Sequence, residues 1–202
     1  MFTTRRRITA GSAVLLSSLI GSLALSAPAH AVGYSTDAVL VCDANSKSAS
    51  FSTTSASNTI THVRYVSIPS GGSGSVTKSV THVATITASV TFSASSTLTA
   101  KAVMGEFSDT VGVTLAASGE TTTTTSESIT VNVSAGKYAF FAGERKFTGS
   151  WSGWKCNSNG TATTSIGKGS AVSFAVPAEG AASCSKSYGS STFEYKAKVI
   201  AC

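Results

Sequence analysis

The 202-residue chain is short of charge: only 12% of it is Asp, Glu, Lys or Arg. Setting aside Arg5, Arg6 and Arg7 leaves 12 basic against 9 acidic residues, a net charge of about +3, weak and scattered. That excludes the clustered basic footprint of a nucleic-acid partner. Histidine is scarce too, and past the leader only His62 and His82 remain, both inside strand-like patterns. Without a carboxylate cluster or a CxxC pair beside them they make a poor metal site. Nor does anything place a third group for a Ser–His relay. Ser165-Ile-Gly-Lys168 and Ile166-Gly-Lys-Gly-Ser170 lack the elements that accompany a Ser-x-x-Lys site or a phosphate loop. No catalytic, cofactor or metal-binding residue is therefore assigned. After residue 31 no stretch approaches the roughly 18 apolar residues of a membrane helix.

The first 31 residues read as a leader. Arg5–Arg7 precede the apolar run ITAGSAVLLSSLIGSLAL, and Ala29-His30-Ala31 fits the small-x-small cleavage rule, so 1–31 is a signal peptide and the mature chain is 32–202. Thr4-Arg5-Arg6-Arg7-Ile8 also loosely fits a twin-arginine signal. Either route makes the protein secreted and extracellular. All four cysteines, Cys42, Cys156, Cys184 and Cys202, lie in the mature chain, and an even number outside the cell favours disulfides. Of the three pairings, Cys156–Cys184 with Cys42–Cys202 is the expected one: it closes a single loop and ties the first strand to the last residue.

What the chain has in abundance is Ser, Thr, Gly and Ala, interleaved with β-branched residues, a composition that favours sheet. In 78–95, KSVTHVATITASVTFSAS, even positions from Val80 to Ala94 carry Val, His, Ala, Ile, Ala, Val, Phe and Ala, and odd positions are mostly Ser and Thr. This is the period of a strand with one apolar and one hydroxyl face. A second run has apolar residues on odd positions, Val111, Val113, Leu115, Ala117, then Ile129, Val131 and Val133. Joined about Gly105–Thr110 the two runs make an antiparallel hairpin zone, 76–133, whose paired numbers sum to 215: Met104 faces Val111, and Ile86 faces Ile129. Arms of that length, roughly 80 Å at strand rise, must bend, break or protrude. The competing pattern is a short helix over Thr97–Phe107 with Leu98, Ala102 and Val103 on one side.

Before that zone lie expected strands at Ala38–Cys42 and Ile60–Ile68, then a Gly/Ser hinge at 69–75. After it, 134–202 concentrates the aromatic residues, with short strands expected at Lys137–Phe141, Phe147–Trp151, Ala171–Val176 and Ser191–Val199. The fold class is all-β: a long or bent Ser/Thr-rich antiparallel hairpin joined to a small disulfide-stapled, β-sandwich-like head.

The run Ser79–Ser95, Gly105-Glu106 with Val111-Gly-Val-Thr-Leu115, the threonine ladder Glu120–Ser128, and Ile129–Val133 leading into Ala135-Gly-Lys-Tyr138 together resemble the stem of the aerolysin-like, epsilon-toxin/mosquitocidal-toxin superfamily. The resemblance covers about 76–141, and implies strands around a segment able to become a membrane-spanning hairpin. Size, leader and a free segment Val32–Leu40 also resemble the small secreted adaptor subunits of umbrella-type antibacterial toxin particles. The expected function is a secreted, non-enzymatic toxin-class protein acting by assembly and contact, with itself or other secreted toxin subunits as partners.

Three site expectations follow. Leu98, Ala100, Ala102, Met104, Val111, Val113, Leu115 and Ala117 form the candidate membrane or assembly hairpin, within 96–119. In the adaptor alternative, 32–40 or an exposed edge adds a strand to a partner's sheet. Trp151 and Trp154, in Trp-Ser-Gly-Trp, are the candidate contact for a partner or a cell-surface glycan in a carbohydrate-binding reading; their bland alternative is core packing against the Cys156 disulfide.

Overall fold

The structure is a computed structural model that describes residues 41–93 and 95–202. The leader, Val32–Leu40 and the greater part of the expected strand at Ala38–Cys42 lie outside the described residues. Within them, β1 spans Lys47–His82, β2 Ser89–Val90, α1 Ala100–Val111, β3 Ser126–Cys156, β4 Thr163–Ser183 and α2 Phe193–Ala201. The strands form one antiparallel sheet in the order β1-β3-β4-β2. The chain is mostly β, with long strands, two disulfides and few helices.

β1 does not run straight. Thr81 Oγ1 donates to Val63 O at 3.2 Å, Arg64 to Ser79 O at 3.3 Å, and Val83 N–H to Thr61 O at 2.8 Å. Residues 18 apart on an extended strand would be about 60 Å apart, so the β1–β3 ribbon folds back on itself. The corner is the Pro69–Gly72 stretch of β1, where the register shifts between Ile68 and Ser73, opposite Ser134–Gly136 of β3. Gly71, Gly74 and Gly136, with φ of +85°, +121° and +155°, allow the turn. The returning limb lays Val80 and Ile129 on Val66, Phe140 and Ala142, making a small two-layer core. The expected hinge at 69–75 is thus the corner of the fold.

Several expectations are corrected. Only the outer ends of the hairpin zone pair antiparallel, and in another register: Val76 pairs with Val131, Lys78 with Ile129 and Thr81 with Ser126, sums of 207 rather than 215. An offset of eight is even, so it leaves every side chain on the same face, and alternation cannot detect it. The missing residues are taken up by α1 and its loops, and Met104 and Val111 lie in one helix instead of facing each other across a turn. Ser191–Val199 is not a strand; it holds most of α2. Phe193, Ala197 and Ala201 share a helical face against Ile60, Val63, Ala139, Phe141 and Ala182, and that packing overrides the period-two pattern. The separate strands expected at 137–141 and 147–151 are parts of β3, and 171–176 lies inside β4.

The disulfides are Cys42–Cys156 and Cys184–Cys202, not the expected pairing. Val41 and Cys42 both donate backbone N–H bonds to Gly160 O, bringing Cys42 to the β3–β4 turn. α2 returns its last residue to the end of β4. Proximity is set by these two returns, which nothing in the cysteine spacing records.

Candidate functional site

Between the two arms of the ribbon, residues 83–125 form an insert folded against the sheet. Its ladder frays after His82. His82 N–H still donates to Thr125 O, but Thr87 then bridges Thr121, one step out of the register that governs 73–82. Ile86 is thereby set against Thr122 and Ala88 against Glu120. Beyond Ala88 the two sides separate, one leading to β2 and the other returning from α1.

The α1 helix has local reasons to exist. Thr99 Oγ1 caps it by accepting from Ala102 N–H, and Gly112, at φ +74°, ends it with its N–H on Ser108 O. Val103, Met104 and Phe107 are buried on one face against Phe51, Phe147 and Trp151, and Phe107 stacks on Phe51 with ring centroids 4.5 Å apart. Of the eight residues of the expected hairpin, Met104 and Leu115 are buried; Leu98, Ala100, Val111 and Val113 are half-buried; Ala102 and Ala117 are exposed. The alternative helix over Thr97–Phe107 is the closer expectation, although Leu98 precedes the helix and Ala102 faces outward.

The insert also covers the outer edge of β4. Beside the β2 pairs Ser89–Val172 and Val90–Ala171, Thr91 N–H donates to Ser170 O at 2.8 Å and Ser93 N–H to Lys168 O at 2.9 Å. The reciprocal N–H groups of Ser170 and Lys168 bond hydroxyls, Thr91 Oγ1 and Ser93 Oγ, where a regular strand would offer carbonyls. Farther along, Ala116 N–H donates to Phe174 O, and Ser173 Oγ donates to Ala116 O. Glycines make the approach feasible. A methyl group on Gly169 would run into the Thr91 carbonyl, one on Gly167 would lie 2.6 Å from Ser96 Cβ, and one on Gly153 2.6 Å from Leu98. Sequence reasoning missed this contact; glycines two apart inside a strand, Gly167 and Gly169, were the available signal.

A polar junction lies where the returning strap 121–125 crosses the sheet. His62, 1% exposed, donates from Nε2 to Thr124 O at 2.6 Å, and its Nδ1 lies 3.0 Å from Thr61 Oγ1 and 3.8 Å from Glu127 Oε1. The His82 ring meets it edge-on at 5.2 Å. Thr121–Thr124, Glu127, Glu144 and Glu179 line an adjacent cavity of about 290 Å³. One oxygen of Glu144 is buried there without a hydrogen-bond partner among the described residues. Burial, and then the neighbouring charge of Glu127, push the Glu144 carboxyl above its ordinary range. Among the described residues, no group of three or more His, Cys, Asp or Glu could hold a metal ion.

The tryptophans part company. Trp151, 2% exposed, is core and donates from Nε1 to Thr91 O, with Phe92 against its ring at 5.4 Å. Trp154 is 39% exposed and reaches Ser50 Oγ. The pair therefore presents a single tryptophan at the surface.

No protein-family model matches this chain, and no curated protein matches it. Among solved structures it is similar to that of parasporin-2, a Bacillus thuringiensis toxin that recognises cancer cells, at 15% identity, over 69% of this chain and 74% of the toxin, with a TM-score of 0.28. At that score the likeness carries no functional argument by itself.

Proposed function

We propose that the protein is a non-enzymatic, toxin-class protein that assembles at a membrane, and that segment 83–124 leaves the sheet and extends as a membrane-spanning β-hairpin. One observation supports this above all. When the register of 73–82 with 126–134 is carried forward, the insert becomes a hairpin with one mainly apolar face, interrupted by Asp109, Thr121 and Thr123, and one mainly hydroxyl face. Val90 then faces Ala117, Phe92 faces Leu115, Ala94 faces Val113, and Ser96 faces Val111. The opposite face pairs Thr85 with Thr122, Ser89 with Ser118, Ser93 with Thr114, Thr97 with Thr110 and Thr99 with Ser108. Lys101 and Glu106 close it around Ala102–Gly105.

In the folded insert, that same alternation goes largely unused: among the described residues of 83–99 the sheet takes in only the two residues of β2 and the isolated bridge Thr87–Thr121. Such disagreement between local pattern and fold is expected where a segment has a second conformation to adopt. The stretches 86–98 and 109–121 are long enough for strands that need about 9–11 residues to span. The membrane candidates Leu98–Met104 and Val111–Ala117 are too short by themselves; the carried register adds Ile86–Ser96. A barrel of such hairpins satisfies every backbone group in lipid and leaves a hydroxyl-lined lumen.

The test is a dye-labelled cysteine scan of the mature protein on liposomes, with release of an entrapped dye followed in parallel. Probes replacing Val90, Phe92, Leu115 and Ala117 are expected to shift to a lipid environment, while those at Ser89, Thr91, Ser93 and Thr114 stay in water. Release without that alternation would sink the carried register, and neither release nor shift on any vesicle would sink the pore reading.

A further inference from the structure

We infer that the insert is also a plug on a self-assembly edge: its departure uncovers the outer edge of β4, Lys168–Phe174, which then accepts the free edge of β1, Lys47–Ser57, from a second copy of this chain. The inference rests on the proposed release of 83–124. Among the described residues the sheet has two edges of different status. β1 lies at one end of the strand order, and between Lys47 and Ser57 its outer side has no backbone partner. At the other end β4 is covered by Ser89–Ser93 and Ala116. A sheet with both edges open polymerises, and covering one is enough to prevent it. The β1 edge carries no proline and only Lys47 for charge, so nothing on it opposes pairing.

The cover is built to come away. Beyond the two β2 pairs the ladder is half made: Thr91 and Ser93 donate backbone N–H groups to Ser170 O and Lys168 O, and the return bonds go to their own hydroxyls. An incoming β1 strand would offer carbonyls to the same Ser170 and Lys168 N–H groups, completing a ladder that the insert completes with side chains. The lengths match: 47–57 is long enough to cover 168–174. Within one chain β1 and β4 each run antiparallel to β3, so they point the same way. Adding β1 of the next copy to β4 therefore repeats one rotation and produces a head-to-tail, ring-forming contact in which each copy uses a different edge. Release of the hairpin and creation of the subunit contact thus become one event, and a copy that has not released its insert cannot accept a neighbour.

Two variants test this in opposite directions, the first read by sedimentation in solution apart from any vesicle and the second on vesicles. Gly169→Ala, whose methyl group runs into the Thr91 carbonyl, is expected to displace the cover and shift the protein from monomer to oligomer without a membrane. Millimolar peptide copying 47–57 is expected to hold that variant monomeric. Thr91→Cys with Ser170→Cys, whose hydroxyls are 2.8 Å apart in the parent, is expected when oxidised to stay monomeric on vesicles where the parent assembles, and to regain assembly when selectively reduced. A folded Gly169→Ala monomer, a locked variant that assembles like its parent, or oligomers indifferent to the peptide would each overturn the inference. Should Gly169→Ala fail to fold, the locked variant decides alone. Oligomers that form as expected yet never release dye would leave the edge contact standing and remove the pore reading.

Discussion

The limb 73–82 and the insert stretch 84–98 carry the same alternation of apolar and hydroxyl residues, yet one sits in a continuous ladder and the other mostly does not. The limb has a partner, 126–134, that matches it residue for residue, and a floor of Val66 and Phe140 for its apolar face. The insert has neither in full. Its strongest apolar contacts come instead from a helix, through Val103, Met104 and Phe107. Alternation gives a segment the capacity to be a strand; a matching partner and a surface to cover decide whether it becomes one. The insert therefore depends on a few side chains, whereas the rest of the sheet is tied by long pairing and two disulfides.

That contrast can be broken most forcefully from the sheet side. Replacing Cys42 and Cys156 by alanine removes a link between residues 114 apart in sequence and is expected to cost about 5 kcal/mol in the chain-entropy model. The same change at Cys184 and Cys202, 18 apart, costs about 3 kcal/mol. Denaturant melts of the two variants give the comparison. Next in size, Trp151→Ala and Phe107→Ala should each cost about 3–5 kcal/mol as buried aromatic truncations. They should differ in place: Trp151→Ala lowers the global melt, while Phe107→Ala loosens the insert first, seen as hydrogen exchange rising across 89–118 ahead of β3. Equal loss of protection in both regions would mean that the insert is not a separable unit. Trp154→Ala, at the half-open surface, should cost under about 1 kcal/mol.

The smallest effect is at the junction between the regions. Because the Glu144 carboxyl titrates above its ordinary range, the folded state binds its proton more tightly than the unfolded chain does. Glu144 thus works against folding above its folded pKa, and that penalty fades as pH falls toward the ordinary carboxylate value. Glu144→Gln is expected to raise the melting temperature modestly at neutral pH and to lose that advantage on acidification. An advantage that grew with acid would contradict the burial of this group.

Part of the fold was legible in period two: the expected strands at 60–68, 137–141, 147–151 and 171–176 and the run 129–133 lie in β1, β3 and β4, whereas the longest alternating stretch, 84–98, is mostly not strand. The corner at 69–75 was legible from its glycines, and the helix over 100–111 was visible only as a competitor, because Thr99 and Gly112 cap a segment that is also even–odd patterned. The second helix was hidden for the same reason. Phe193, Tyr195, Ala197 and Val199 alternate, but Phe193, Ala197 and Ala201 also fall on one helical face, and only the apolar floor of Ile60, Phe141 and Ala182 selects between them. At the candidate site, the apolar residues were found but not their arrangement, since the contact between Thr91 and Gly169 joins segments 78 residues apart in the sequence.

By itself the sequence determined that this chain is β-rich, which residues share a face, and that four cysteines are available to cross-link it. Only the tertiary structure decided the register, the two helices, the cysteine partners and which sheet edge is covered. The reason is physical. Side-chain direction in a strand repeats every two residues, so a sequence fixes face but leaves register free by any even step. That remaining freedom is settled by loop lengths, glycine clearances and the apolar surfaces that distant segments present to one another.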